Sequence, residues 1–329
     1  MRAWLTFAMI VAMACTAQAQ NLARPVVTAG RIAAPQIDGE IAPGEWDGAT
    51  GVGAFMILGG QQSAYVSCRI AADDLGLALL WALPDAPDAE ERGRDGALWL
   101  DDAVEVFMQP AGAAQYYQFI VNAVGDVADL EGRDASWDGA LEAAPRVGEN
   151  GWGVEMRIPW SDLGGAPEPG EVWRVNFARD IAGGRPLTWA PMQQSFHEPK
   201  NFGELRFADG PLGGVQMVTR AHENMAVLPA GGADERLHVA LLSDGATVSS
   251  AETEETDALK LQVPDPGSYV LRIEVTSEDE TVLKQEVPMD IAAPLEMTLT
   301  KGLLEADRVI VQLDASAAGA VPDAYRVEL

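Results

Sequence analysis

Residues 94–110 read RDGALWLDDAVEVFMQP. From Ala103 onward the residues alternate. Val104, Val106 and Met108 fall on one side of an extended chain, and Ala103, Glu105 and Phe107 fall on the other. Such alternation predicts a half-buried strand over 103–108. The same period recurs in short runs between turn residues: Ala64–Ile70, Leu75–Leu83, Tyr116–Ala123, Trp152–Ile158, Val172–Ala178 and Leu205–Phe207. No helical stretch long enough for a crossover lies between them, so the fold class is all-β and the architecture an antiparallel sandwich or barrel. The segment IPWSDLGG adds one helical turn that ends at Gly164-Gly165.

Beyond FADGPLGGVQ, where Gly210, Pro211, Gly213 and Gly214 cluster, the chain changes character. All nine tryptophans precede residue 190. Strand patterns resume at Leu237–Leu242, Ala258–Val263, Tyr269–Val275, Val282–Val287, Leu295–Leu299, Arg308–Leu313 and Tyr325–Leu329. This predicts a second sandwich, immunoglobulin- or fibronectin-like, over 210–329, after a first over 20–209.

The chain opens MRAWLTFAMIVAMACTAQAQ. A charged start, a short apolar run and Ala17-Gln18-Ala19 predict a cleaved signal peptide over 1–19 and a secreted or periplasmic bacterial protein. Lipoprotein cleavage before Cys15 is the lesser expectation, because Ala12-Met13-Ala14 lacks the customary leucine. The apolar run is too short to span a bilayer comfortably. Cys68 then remains the one cysteine, on the apolar face of its strand, and reads as a structural thiol. The 50 acidic and 22 basic residues give a formal net charge of −28. That balance argues against nucleic acid and anionic membrane surfaces, which require clustered Lys and Arg.

If the strand after Pro110 pairs with Ala103–Met108, Glu105 shares a face with Gln118 or Asn122. A carboxylate and an amide beside an aromatic ring suit a sugar, whose C–H face stacks while its hydroxyls take charge-assisted bonds. Taken alone, Trp99 reads first as a core or rim tryptophan. Asp102 and Glu105 face opposite sides about 10 Å apart along the chain, a poor glycosidase pair. His197, His222 and His238 have no metal-like spacing, and no nucleophile motif appears. The sequence therefore predicts no catalytic residues. The acidic runs at 73–74, 84–91 and 101–102 match no EF-hand; each reads singly as a solvated turn, and together they supply hard oxygen ligands for a structural calcium.

One ordered series remains: PQIDGEIAPGEWDGA, RIAADDLGLALLWAL, RDGALWLDDAVEVFMQP, YYQFIVNAVGD, GWGVEMRIPWSDLG, GEVWRVNFARD, LTWAP and SFHEPKNFGELRF. Over residues 26–208 it resembles carbohydrate-binding module family 9 and its DOMON-like relatives. The resemblance implies a β-sandwich that holds a saccharide between two aromatics and needs no cofactor. By motif, the clamp falls on Trp99 and Phe196, the hydroxyl-binding glutamate on Glu105, and polar site residues on Asn122 and Gln193. Phe196 stands where the well-studied xylanase modules have tryptophan, and Ile120 where they have an arginine. The resemblance thus implies a secreted, non-catalytic protein linked to polysaccharide use, at most an accessory to a glycoside hydrolase. Its partners would be poly- or oligosaccharides, with a hydrolase or cell-surface partner on the C-terminal domain. The alternatives are a haem-binding electron-transfer domain, for which Met108 or His197 would serve as axial ligand, and a structural or interaction sandwich with no sugar ligand.

Overall fold

A computed structural model describes residues 22–64, 66–148, 151–168, 170–215, 227–228, 235–253, 259–262, 267–291, 296–301 and 309–314. The expected signal peptide, Cys15, His222 and the strand expected at Tyr325–Leu329 lie outside these residues. The protein is all-β. The 103–108 alternation becomes the strand Ala103–Gln109, and the runs expected at 116–123, 152–158, 172–178 and 205–207 become Tyr117–Asn122, Gly151–Pro159, Trp173–Asp180 and Gly203–Phe207. The run expected at 64–70 is divided between Gln61–Ala64 and Ser67–Ala72. IPWSDLGG gives the 3-10 turn Trp160–Leu163, stopped by Gly164 at φ 85°, a backbone region that favours glycine.

Two sheets face one another. In the first, the strands run Val127–Glu131, Tyr117–Asn122, Ala103–Gln109, Trp173–Asp180 and Gly203–Phe207, and then the parallel first strand, Val26–Arg31. In the second, the order is Glu142–Gly148, Gly151–Pro159, Gly76–Leu83, Ser67–Ala72 and Thr50–Val52. Val104, Val106, Met108 and Phe177 of the first sheet meet Leu77, Leu79, Trp81, Val154 and Met156 of the second in one buried cluster. Trp81 stands at its centre, 5.8 Å from the ring of Phe55 and 6.4 Å from that of Phe177. Cys68 is buried in this cluster, and burial pushes its thiol well above the usual range. It is a packing residue.

The first strand belongs to both sheets. Val26–Ala29 pairs with Glu204–Phe207, after which Gly30 and Arg31 pair with Ala71 and Ala72. Gly30 is needed at the crossing, since a Cβ there would stand 2.3 Å from the Gly48 carbonyl oxygen. The IDG…W motif secures the loop that follows. Trp46 Nε1 and the Gly39 amide donate to the two oxygens of Glu155, at 2.9 and 2.8 Å.

The expected C-terminal strands are present through Val309–Asp314 and form two groups. Val227–Leu228, Val309–Asp314, Glu296–Lys301 and Leu259–Gln262 make a four-stranded sheet. The strands Ala246–Thr253, Glu235–Ser243, Gly267–Ser277 and Glu280–Ile291 instead extend the first sheet, because Val26 and Val27 pair antiparallel with Lys284 and Leu283. Val239, Ile273, Val275 and Leu283 join the same core as Val104 and Trp81. No helix among the described residues is long and apolar enough to cross a membrane.

Candidate functional site

The face of the first sheet turned away from the core carries the polar residues. Register fixes it: Glu105 lies opposite Ile120 on one neighbour and Ala178 on the other, and Phe107 opposite Gln118 and Asn176. Asp180 and Asn122 flank Ala103. Alternation therefore sets Glu105, Gln118, Asn122, Asn176 and Asp180 on one face.

These groups are buried. Glu105 is 2% exposed, Gln118 4%, Asp180 7%, and Asn122 and Asn176 0%. Two segments roof the face. At one end Leu98, in the 3-10 turn Leu98–Leu100, packs on Ala103, Ile120 and Ala128. At the other, Phe196 packs on Phe107 with ring centroids 5.8 Å apart, beside Tyr116, His197 and Phe202. Glu105 lies between Ala103 and Phe107 in sequence, hence between the two covers, about 7 Å from each along the strand.

Gln118 Nε2 donates to Glu105 Oε2 at 2.8 Å. Asp180 stands diagonal to Glu105 on the same face, since Ala178 pairs with Glu105 and Asp180 with Ala103. Burial raises the Glu105 carboxyl above its usual range. It raises Asp180 well above, helped by the negative charges of Glu105 and Asp102. Two adjacent buried carboxyls cannot both ionise cheaply, which drives both values upward. Among the described residues, Gln118 Oε1, Asn176 Nδ2 and Asp180 Oδ2 have no hydrogen-bond partner although buried. Such atoms are uncommon and call for a partner. The expected strand ended at Ala178, and this truncation hid Asp180. Carrying the alternation two residues further finds it.

The other expected site residues are placed differently. Trp99 projects from the roof and is 57% exposed. Asn122 does share the Glu105 face, but its amide is spent on structure: Nδ2 donates to Asp101 Oδ2 and the Glu90 carbonyl, and Oδ1 accepts from the Asp126 amide. Phe196 is 9% exposed and built into the aromatic cluster, so the picture of a free clamp ring does not describe it. Gln193 is exposed on the Phe196 loop, which Glu198 gathers by accepting from the amides of Gln194 and Ser195. Ile120 lies beneath Leu98. Met108 points into the core, while His197 Nδ1 is bonded to the Tyr116 hydroxyl at 2.7 Å. Burial and the charge of Arg133 lower the His197 pKa.

The acidic runs weighed for calcium mostly serve arginines and backbone amides. Asp101 takes Arg92 on both oxygens at 2.6–2.9 Å. Burial alone would raise its pKa, but the bonds from Arg92 and Asn122 and the Arg92 charge leave it below its usual value. Asp73 accepts from the amides of Leu75 and Gly76 and from Arg157. Asp102 accepts from the Asp88 amide, and Asp85 pairs with Arg179. Among the described residues no three His, Cys, Asp or Glu side chains converge in a way that would hold a metal.

Comparison with known proteins agrees with the motif order. No curated protein matches the chain significantly. Among solved structures, a proposed carbohydrate-binding protein from Bacteroides uniformis is 22% identical over 56% of this chain and 100% of its own, with a TM-score of 0.47. A carbohydrate binding module family 9 from Caldicellulosiruptor kristjanssonii, solved with cellotriose, is 19% identical over 56% of this chain and 94% of its own, with a TM-score of 0.43. The profile of the carbohydrate family 9 binding domain-like family matches residues 37–209, more than half of the chain. The chain belongs to that family.

Proposed function

We propose that the protein is a non-catalytic saccharide-binding protein whose site is the Glu105 face of the first sheet, between the Trp99 turn and the Phe196 loop. The carrying observation is the buried Glu105–Gln118 pair, with unpartnered polar atoms of Gln118, Asn176 and Asp180 beside it in a domain of family 9 type. A saccharide hydroxyl supplies both donor and acceptor to such atoms, and exposed Trp99 offers a ring to a sugar's C–H face. Exposed Gln193, on the Phe196 loop, would meet the outer hydroxyls. Asn122 supports the site by pinning the loop that carries Trp99. Binding requires no cofactor. In this reading the protein is secreted, takes part in polysaccharide use, and meets a hydrolase or the cell surface through its C-terminal strands.

A glycan array probed with the chain from Gln20 onward, with and without a chelator, tests the proposal. Binding to a defined saccharide class in both conditions is expected. Silence across neutral, amino and acidic glycans would refute it.

A further inference from the structure

The polar face lacks a positive charge where its carboxyls meet, and that absence bears on the ligand. Around Glu105 and Asp180 the neighbouring strands present Gln118, Ile120, Asn122, Ala128, Asn176, Ala178 and Thr188, none of them cationic. Arg174 shares the face but stands four residues before Ala178, the partner of Glu105, about 13 Å along the strand. Arg179 leaves the opposite side of its strand and is engaged by Asp85 and Asp102.

Two buried carboxyls side by side with no resident cation favour keeping a proton over both being charged. A neutral hydroxyl cannot take that proton's electrostatic place, but an ammonium group can. It carries three N–H donors, and one face of three adjacent strands offers three acceptor groups: the Glu105 carboxyl, Gln118 Oε1 and Asp180 Oδ2. Two unpartnered donors stand further along the same face, Asn176 Nδ2 and, beyond it, Arg174 Nη1; the nearer, Asn176 Nδ2, is left for a hydroxyl or ring oxygen of the same unit. Carboxylated or sulfated sugars would instead bring like charge onto a buried acidic pair.

We infer that the Glu105–Asp180 pair selects a saccharide bearing a free, protonated amino group, an amino-sugar unit of a deacetylated polymer, over neutral and acidic sugars. The inference rests on the saccharide-binding reading above and names the ligand class of that site. On binding, the ammonium pairs with both carboxylates, and the proton kept by the pair passes to the solvent. N-acetylation removes the charge while keeping the ring, so the acetylated sugar is the decisive control.

The test is calorimetric titration of the full chain at mildly acid pH, in two buffers of different ionisation enthalpy. The probes are a glucosamine oligomer, its N-acetylated counterpart and a cello-oligosaccharide of equal length. The amino oligomer is expected to bind at least about tenfold more tightly than either, as suits charge-assisted over neutral hydrogen bonds, with proton release to the buffer. Asp180→Asn is expected to collapse that ratio to less than about threefold. Glu105→Gln gives the same readout should Asp180→Asn fold poorly, as judged by its unfolding transition. Equal affinities, or a ratio that survives both substitutions and fades with salt as the chain's overall negative charge would dictate, overturn the inference while leaving saccharide binding intact. Failure of the wild-type chain to bind any of the probes, with the glycan array also silent, removes the saccharide-binding reading together with the inference.

Discussion

Gln285 closes two hydrogen bonds with the backbone of Ala54, a residue 231 positions earlier. It accepts from the Ala54 amide at 2.8 Å and donates to its carbonyl at 2.6 Å. The side chain acts as an extra rung of sheet, buried among residues of the family 9 region, while Thr28 donates to the Thr281 carbonyl and Glu286 accepts from the Ala23 amide nearby. The C-terminal strands therefore complete the edge left by the first strand. A bare edge of this kind is an aggregation hazard.

Gln285→Leu is accordingly expected to destabilise the chain by about 3 kcal/mol, since each buried backbone group left unpaired costs about 1–3 kcal/mol. Truncation after residue 209 is expected to yield a less stable, aggregation-prone product. Denaturant unfolding and light scattering check both.

The two aromatic substitutions should separate. Trp99→Ala removes an exposed ring and is expected to leave stability within about 0.5 kcal/mol while weakening saccharide binding. Phe196→Ala opens the cluster around Phe107 and is expected to cost about 3–5 kcal/mol. Thermal unfolding set beside binding distinguishes them.

The Glu105–Asp180 pair and Asp101 carry opposite pH signatures. Raised carboxyls bind more protons folded than unfolded, so their contribution falls as pH rises from the ordinary carboxylate range through their higher folded values. Asp180→Asn is therefore expected to raise the melting temperature at neutral pH and to lose that advantage in acid. Asp101 is lowered in the fold. Its contribution is present above the ordinary carboxylate range and is lost as pH falls through its depressed value. Arg92→Met should thus speed proteolysis of the 84–102 segment at neutral pH, with the difference shrinking in acid. Melting and proteolysis across pH measure the two signs.

Ile120→Arg is expected to destabilise the protein by overpacking, because Leu98, Ala103 and Ala128 close around that position, even though Glu105 opposite it could pair with the new charge. Unfolding midpoints of the variant and wild type decide this.

The strands were legible because their period survives in sequence: Val104, Val106 and Met108 face the core as their alternation requires. Glu105 and Gln118 came together for the same reason. Asp180 did not. A run ending Ala-Arg-Asp reads as a solvated strand end, and the partners that accompany Arg179 into the interior, Asp85 and Asp102, come from elsewhere in the fold. Phe196 was legible as an aromatic near the site, but its contact with Phe107 depends on how the loop folds back. Nor could the pairing of Val26 with Lys284 be read from either strand alone, since alternation specifies a face and not a partner.

The most direct measurement is NMR of the side-chain amides and indoles while the saccharide chosen by the glycan array is added to the full chain. A site on this face predicts that the Gln118 amide and the Trp99 indole signals move together and saturate, and that the movement is lost in Glu105→Ala. Binding that leaves both signals in place while others shift would put the saccharide elsewhere and contradict the assignment.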